Sequence, residues 1–340
     1  MPTVITPPLA IAPPDETGRL GVHYLKRFWS TQLAGPQDSS RGSDWVAGNT
    51  LLCGLRVGLR ETYDYLFQNR PSFEEFESWI LAKNGGSLEA GLVERLNACL
   101  SEAGIPGQPA DAKAALVLTT ADLAFWDRYG YVVLHDAVPP ENCRAAAQAI
   151  YEFLAAQPDR PETWYRGPQG HSIWIPLLHH PALWANRDSP RIHRAFAQLW
   201  GREDLWGSVD QAGFNPPETP GWKFPGPNLH WDVSLAQPIP FGTQGILYLA
   251  DTAANQGAFT CVPGFHRRIE SWLESLPEGA DPRQEDLSAL AVPIAGRAGD
   301  LVIWHQALPH GSSPNSGALP RLAQYINRRP SYWEYNDVWR

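Results

Sequence analysis

The chain has 340 residues, enough for one large domain or two ordinary ones with ample core. Charged residues make up 19% and the net charge is −9, against a nucleic-acid partner, which wants a basic stripe. The same balance disfavours a free acyl-CoA, whose phosphates call for Lys and Arg.

No apolar run of about 18 residues is present to span a membrane. The N-terminus lacks the charged and then apolar pattern of a signal peptide, so the reading places the protein in the cytoplasm. Four cysteines (Cys53, Cys99, Cys143, Cys261) lack C-x-x-C spacing and read as reduced thiols rather than a zinc knuckle or disulfide framework.

Residues 1–19, with Pro2, Pro7, Pro8, Pro13 and Pro14, read as a flexible lead-in. A short helix is expected over 23–33 and a Gly/Ser-rich loop over 35–43. Across 46–69 the apolar spacing suits a helix face chiefly from Leu55 onward. Ser72-Phe73-Glu74-Glu75 is a capping box, and its helix runs to Lys83, where Asn84-Gly85-Gly86 stops it. A further amphipathic helix is expected over 87–100, then a linker over 104–109. Residues 20–115 therefore read as a helical region packing on a core that spans 116–340.

Thr120-Ala121-Asp122 opens a helix leading into the strand Tyr131-Val132-Val133-Leu134, and 140–154 is an Ala-rich helix. Short strands are expected near 245–249, 258–262, 291–294, 300–304 and 322–327, broken by Gly and Pro. Helices followed by many short strands suggest a mostly β core, a jelly roll with flanking helices.

Asn228-Leu229-His230-Trp231-Asp232 carries the chemistry. In an extended segment at 229–233, His230 and Asp232 would share one face, because side chains alternate with period 2. His310, in Leu308-Pro309-His310-Gly311-Ser312, would close a triangular 2-His-1-carboxylate face with open positions, the arrangement of non-haem Fe(II) oxygenases. Past the turn-forming stretch 311–317, a hairpin would return Arg321 beside the metal. A guanidinium is the natural bidentate clamp for a carboxylate, and the Ser312 hydroxyl could add a second hydrogen bond. One 2-oxo-dicarboxylate could then chelate the metal at one end and meet Arg321 at the other.

With these residues in place, the sequence resembles the phytanoyl-CoA dioxygenase family of Fe(II)/2-oxoglutarate oxygenases. Phe125-Trp126-Asp127-Arg128-Tyr129-Gly130-Tyr131 resembles the family's F-x-x-x-G-Y entry, and His230 and Asp232 its H-x-D. The stretch from Asp251 through Asn255-Gln256-Gly257 to Pro263-Gly264-Phe265-His266 resembles its D-x-x-x-x-N-G … P-G-S-H segment, with Gln256 and Phe265 replacing the usual Asn and Ser. Gly299-Asp300 followed by His310-Gly311-Ser312 and Arg321 completes the match, which covers roughly 120–330. Nothing comparable covers the first hundred residues.

The resemblance implies a double-stranded β-helix whose two sheets form a tapering barrel with the metal at its mouth. It implies Fe(II) held by His230, Asp232 and His310, with 2-oxoglutarate on Arg321 and Ser312 and O2 as oxidant. The co-substrate would leave as succinate and CO2 while a C–H bond of the substrate becomes an alcohol. Halogenases of this type carry a small residue at the carboxylate position, so Asp232 makes hydroxylation the default; desaturation, epoxidation, cyclisation and epimerisation use the same ligands. His305 competes as third ligand, but the Gly-Ser after His310 and the spacing to Arg321 favour His310. His266 reads as a loop stabiliser.

Fifteen tryptophans supply rigid aromatic surface, more of it core than pocket. His171, Trp174, Trp231 and Tyr248 are candidate substrate contacts. The substrate expected is a small, partly apolar molecule, an intermediate of secondary metabolism or an amino-acid derivative. Two rivals are a non-catalytic jelly-roll binding protein and a cupin-like isomerase or hydrolase using Zn2+ or Mn2+. Intact His230, Asp232, His310 and Arg321 together speak against the first, since a relic would be free to lose any of them, and the second needs no carboxylate clamp at Arg321. Oligomeric state is not readable.

Overall fold

The structure, a computed structural model, describes residues 9–35, 41–101, 116–168 and 170–340. The linker expected at 104–109 lies outside the described residues, as do the first eight residues of the lead-in. Among the described residues, no helix is long and apolar enough to cross a membrane.

The chain divides into two compact units. One comprises Met1–Gln108, Trp206–Val209 and Pro330–Asp337; the other takes the rest. In the first unit, α1 (Leu25–Ala34), α2 (Arg41–Gly54), α3 (Leu59–Asn69), α4 (Phe73–Lys83) and α5 (Leu92–Leu100) bury Leu25, Leu51, Leu55, Leu66, Phe76, Ile80 and Leu96 in one core. The Ser72 capping box forms as expected, with the Ser72 hydroxyl accepting from the Glu75 amide and Glu75 bonding back to Ser72.

Several expectations are corrected here. Residues 9–19 are irregular but tied down: Ala12 N donates to Ser30 Oγ at 3.0 Å, and the buried Glu77 carboxylate accepts from Arg19 N and Leu20 N. The 35–43 loop gives way to a helix at Arg41, and 46–69 is two helices broken at 55–58. Burial of Leu51 and Leu52 overrides the weak helix propensity of Gly48, Asn49 and Gly54. Gly91 sits in the left-handed region at φ 75°, so the last helix starts at Leu92 rather than at 87.

The chain beyond the first five helices runs α6 (Thr120–Tyr129), β1 (Tyr131–Leu134), α7 (Pro140–Phe153), β2 (Trp174–Ile175), α8 (Pro181–Arg187), α9 (Pro190–Trp200), β3 (Leu205–Gly207), β4 (Ala212–Asn215), β5 (Thr243–Tyr248), β6 (Phe259–Cys261), α10 (Ile269–Ser275), β7 (Val292–Pro293), β8 (Leu301–His305), β9 (His310–Ser312), β10 (Arg321–Tyr325) and β11 (Arg328–Pro330), these elements all lying in the second unit except for Trp206 and Gly207 of β3 and Pro330 of β11. Six strands form one antiparallel sheet in the order β1-β8-β5-β10-β4-β2, and three form a second in the order β7-β6-β9. β3 pairs with β11 as a separate ribbon.

Alternation along the strands sorts the side chains of the larger sheet. Val132, Leu134, Leu247, Leu301, Ile303 and Leu322 point outward, where Ala146 and Ile150 of α7 and Ile192, Ala195 and Phe196 of α9 cover them. Ile246, Tyr248, Val302, Trp304 and Ala323 point inward against Phe259 and Cys261 of the smaller sheet. Full burial of each such side chain contributes about 1.5–3 kcal/mol. This is the expected jelly-roll layering with flanking helices. It is not a closed barrel: each sheet keeps open edges, because the 229–233 segment does not join as a strand.

Candidate metal centre

His230 touches the smaller sheet through a single bridge to His310, with each backbone N–H donating to the other residue's carbonyl at 2.9 and 3.0 Å. Beyond that bridge the chain turns away, so Asp232 stands in a bend rather than on the expected strand. Arg283 explains the departure. Its Nη1 donates to Trp231 O at 2.8 Å and its Nη2 to Val233 O at 2.6 Å, satisfying carbonyls that a strand would have given to a neighbour. Gly311 permits the close approach of the two histidine segments. A Cβ there would lie 2.6 Å from the backbone oxygen of Asn228, closer than such contacts allow.

These contacts bring His230, Asp232 and His310 together, with one potential ligand atom from each lying within 4.8 Å of the others. His230 Nε2 is 3.2 Å from Asp232 Oδ1, and His310 Nε2 is 3.2 Å from Asp232 Oδ2. The other ring nitrogens face backbone carbonyls: His230 Nδ1 is 2.7 Å from Asn228 O and His310 Nδ1 3.1 Å from Leu308 O. Each Nδ1 is thereby held to the backbone as a donor, which leaves Nε2, facing Asp232, as the nitrogen open to a metal. Two imidazoles and a carboxylate so arranged suit a divalent transition metal, which would take the place of the contacts between Nε2 and the carboxylate.

Electrostatics agree with that reading. Burial works against charge on Asp232, yet hydrogen bonds from His230, His310 and Gln244 hold its carboxyl well below the usual carboxylate range. Burial would likewise lower the His230 imidazole, but its partnership with Asp232 prevails and raises it. His310 is buried, while the Asp232 side chain is 48% exposed and marks the solvent side of the cluster. Behind His310 stand Trp304 and Phe259, with ring centroids at 5.0 and 6.2 Å.

Arg321 arrives by a different route from the one expected. β9 belongs to the smaller sheet and β10 to the larger, so residues 313–320 cross between sheets instead of folding as a hairpin. The guanidinium is fully buried; Nη2 lies 3.4 Å from Ser312 Oγ, and Nε and Nη1 have no hydrogen-bond partner among the described residues. Buried polar groups are nearly always satisfied, and leaving a charged donor unpaired costs more than about 1–3 kcal/mol. An anion is the missing partner this geometry fits.

The other singled-out residues divide clearly. Trp174 packs on Tyr325 at 4.6 Å. Its strand partner is Gly213, where a Cβ would lie 3.5 Å from both Arg321 Nη1 and the Tyr325 ring. Trp174 therefore shares a face of the sheet with the guanidinium. His171 packs on Trp222 at 5.5 Å. Trp231 and Tyr248 are core residues, which corrects the expectation of substrate contact. Trp231 packs on Phe265 and Trp272 with Nε1 donating to Ala307 O, and the Tyr248 hydroxyl donates to Ile294 O while accepting from Phe259 N. His305 lies apart from the triad, between Trp126, Phe241 and His266, and burial pushes its imidazole down to about 4. His266 holds the end of α6, with Nε2 3.1 Å from Asp127 O.

Sequence reasoning missed Arg283 and Gln244, which act on Asp232 and its loop from distant segments. No local spacing marks either one; only the strand pairing that sets Gln244 opposite Trp304 exposes the second.

The chain matches the family model described as phytanoyl-CoA dioxygenase over residues 126–323, more than half its length. It is 26% identical over 260 residues to a phytanoyl-CoA dioxygenase homologue of Dictyostelium discoideum, covering 61% of this chain and 74% of the relative. Among solved structures it is similar to AviO1 of Streptomyces viridochromogenes, at 17% identity and TM-score 0.46, covering 63% of this chain and 96% of that one. The epimerase SnoN, solved with Fe3+, α-ketoglutarate and nogalamycin RO, is similar at 19% identity and TM-score 0.46, covering 63% of this chain and 84% of that one. On the extent of the family match, this chain belongs to the phytanoyl-CoA dioxygenase family.

Proposed function

We propose that the protein is an Fe(II)- and 2-oxoglutarate-dependent dioxygenase that hydroxylates an unactivated C–H bond of a small molecule. In this reading His230, Asp232 and His310 hold the iron, and Arg321 with Ser312 holds the far carboxylate of 2-oxoglutarate. The observation that carries it is the fully buried Arg321 guanidinium with two unpartnered nitrogens, in the same unit as a His-Asp-His cluster. A metal-dependent isomerase or hydrolase has no use for such a group.

Iron with 2-oxoglutarate and O2 supplies the oxidising power: one oxygen atom enters succinate as CO2 leaves, and the other enters the substrate as hydroxyl. The protein supplies orientation and the exclusion of water. The carbonyls of Asn228 and Leu308 fix each histidine's tautomer, so that Nε2 faces the ion. Trp304 and Phe259 shield His310 on its core side. Ser312 and Arg321 set the angle of the co-substrate by gripping the end remote from the ion.

The aromatic pair Trp174 and Tyr325, on the same sheet face as Arg321, supports a small, partly apolar substrate, such as an amino-acid derivative or an intermediate of secondary metabolism. With a panel of such compounds and isotopically labelled O2, one labelled atom is expected in succinate and the other in an alcohol product. Product formed with oxygen from water and no 2-oxoglutarate consumed would identify a hydrolase on this scaffold.

A further inference from the structure

Asp232 Oδ2, which lies 3.2 Å from His310 Nε2, receives a second contact, from Gln244. Gln244 Nε2 donates to it at 2.6 Å, and Gln244 Oε1 accepts from Trp304 Nε1 at 3.0 Å. An indole N–H only donates, so it dictates which end of the amide faces it. The amide oxygen must turn toward Trp304, and the NH2 group is thereby presented to Asp232. Trp304 is itself fixed, 2% exposed and packed on Phe259 with ring centroids 4.4 Å apart. Gln244 and Trp304 stand directly opposite each other on β5 and β8, so the whole relay is anchored in the sheet.

We propose that Gln244, oriented by Trp304, is a positioning residue that holds the Asp232 carboxylate against rotation, with one oxygen toward His230 and the other toward His310. The inference rests on the iron-site reading above and deepens it. Two histidines and one carboxylate oxygen fill three positions of an octahedral ion and leave three open. 2-Oxoglutarate needs two of these, and O2 the last. A carboxylate free to turn both oxygens to the ion would take a fourth position and leave the chelate competing with O2. With Oδ2 held by Gln244 on one side and facing His310 Nε2 on the other, that rotation is resisted. Gln244 need not touch substrate or co-substrate to act in this way.

The test compares Fe(II)-loaded parent, Gln244→Leu, Trp304→Phe and the double variant in anaerobic titrations with 2-oxoglutarate, read by the visible charge-transfer band and by Fe(II) affinity. Removing such supporting partners typically costs about 10- to 100-fold. Gln244→Leu is expected to weaken Fe(II) or 2-oxoglutarate binding by that factor and to shift the band, beyond the lower metal-free melting temperature that follows from leaving Trp304 Nε1 without its acceptor. Trp304→Phe should give a smaller loss in the same direction, because the amide is freed but still present. The double variant should bind no more weakly than Gln244→Leu, since both substitutions break one relay. Parent-like binding with an unshifted band in Gln244→Leu overturns the proposal, as do two independent, additive losses. Asp232→Ala separates the failures. If it keeps parental Fe(II) affinity, the iron-site reading fails and this inference with it. If it loses iron while Gln244→Leu does not, only the inference fails.

Discussion

Arg321→Met is expected to raise the 2-oxoglutarate concentration needed for half-saturation by roughly 30- to 4,000-fold while leaving Fe(II) affinity close to parental. Removing one partner of a buried, hydrogen-bonded charge pair costs about 2–5 kcal/mol, and each 1.4 kcal/mol is about tenfold. Fe(II) is spared because the triad draws on residues 230, 232 and 310 and none of its hydrogen bonds involves Arg321. The same substitution should act oppositely on the ligand-free fold. A guanidinium at 0% exposure with two unsatisfied nitrogens is a burden in the absence of its anion, and Met fills similar volume without it. Melting curves should therefore show Arg321→Met at or above the parent without ligand. Only the parent should rise on addition of 2-oxoglutarate with a divalent metal. A variant with parental co-substrate dependence would remove the clamp from the account.

The loss of Asp232 is expected to be more severe for the metal. Asp232→Ala removes the acceptor facing both Nε2 atoms, and Fe(II) affinity should fall by more than the roughly 100-fold that bounds loss of a supporting partner. Turnover of 2-oxoglutarate should be abolished. Global stability should change little, because the side chain is 48% exposed and water can replace it at His230 and Gln244. Equilibrium dialysis against Fe(II), set beside melting curves in chelator, checks both statements. Retained turnover would locate the metal elsewhere.

Much of this site was legible in the sequence because its chemistry sits in short, local motifs. Residue type, order and the family resemblance together single out His230, Asp232, His310, Ser312 and Arg321, and the structure brings the three proposed metal ligands within 4.8 Å of one another. The route by which they meet was not legible. H-x-D was expected on a strand, yet Arg283 from a distant segment satisfies the Trp231 and Val233 carbonyls and bends the chain. Arg321 was expected from a hairpin, yet residues 313–320 change sheets, a choice made by long-range pairing with β4 and β5 that no local turn signal encodes.

The same limit explains the substrate candidates. Trp231 and Tyr248 have the composition of pocket residues, and alternation turns Tyr248 inward. What decides their role is the backbone carbonyl that each one meets, Ala307 O for one and Ile294 O for the other. Helix starts were read well where a side chain caps them, as at Ser72. They were read poorly where a left-handed glycine such as Gly91 moved the boundary.

The most direct test of the account is an anaerobic titration of metal-free protein with Fe(II) and 2-oxoglutarate, watched in the visible region. A weak charge-transfer band that appears only when both are present, and saturates at one equivalent of each, is the predicted result. No band from folded protein at saturating concentrations of both would contradict a chelated co-substrate, and with it the oxygenase reading of this site.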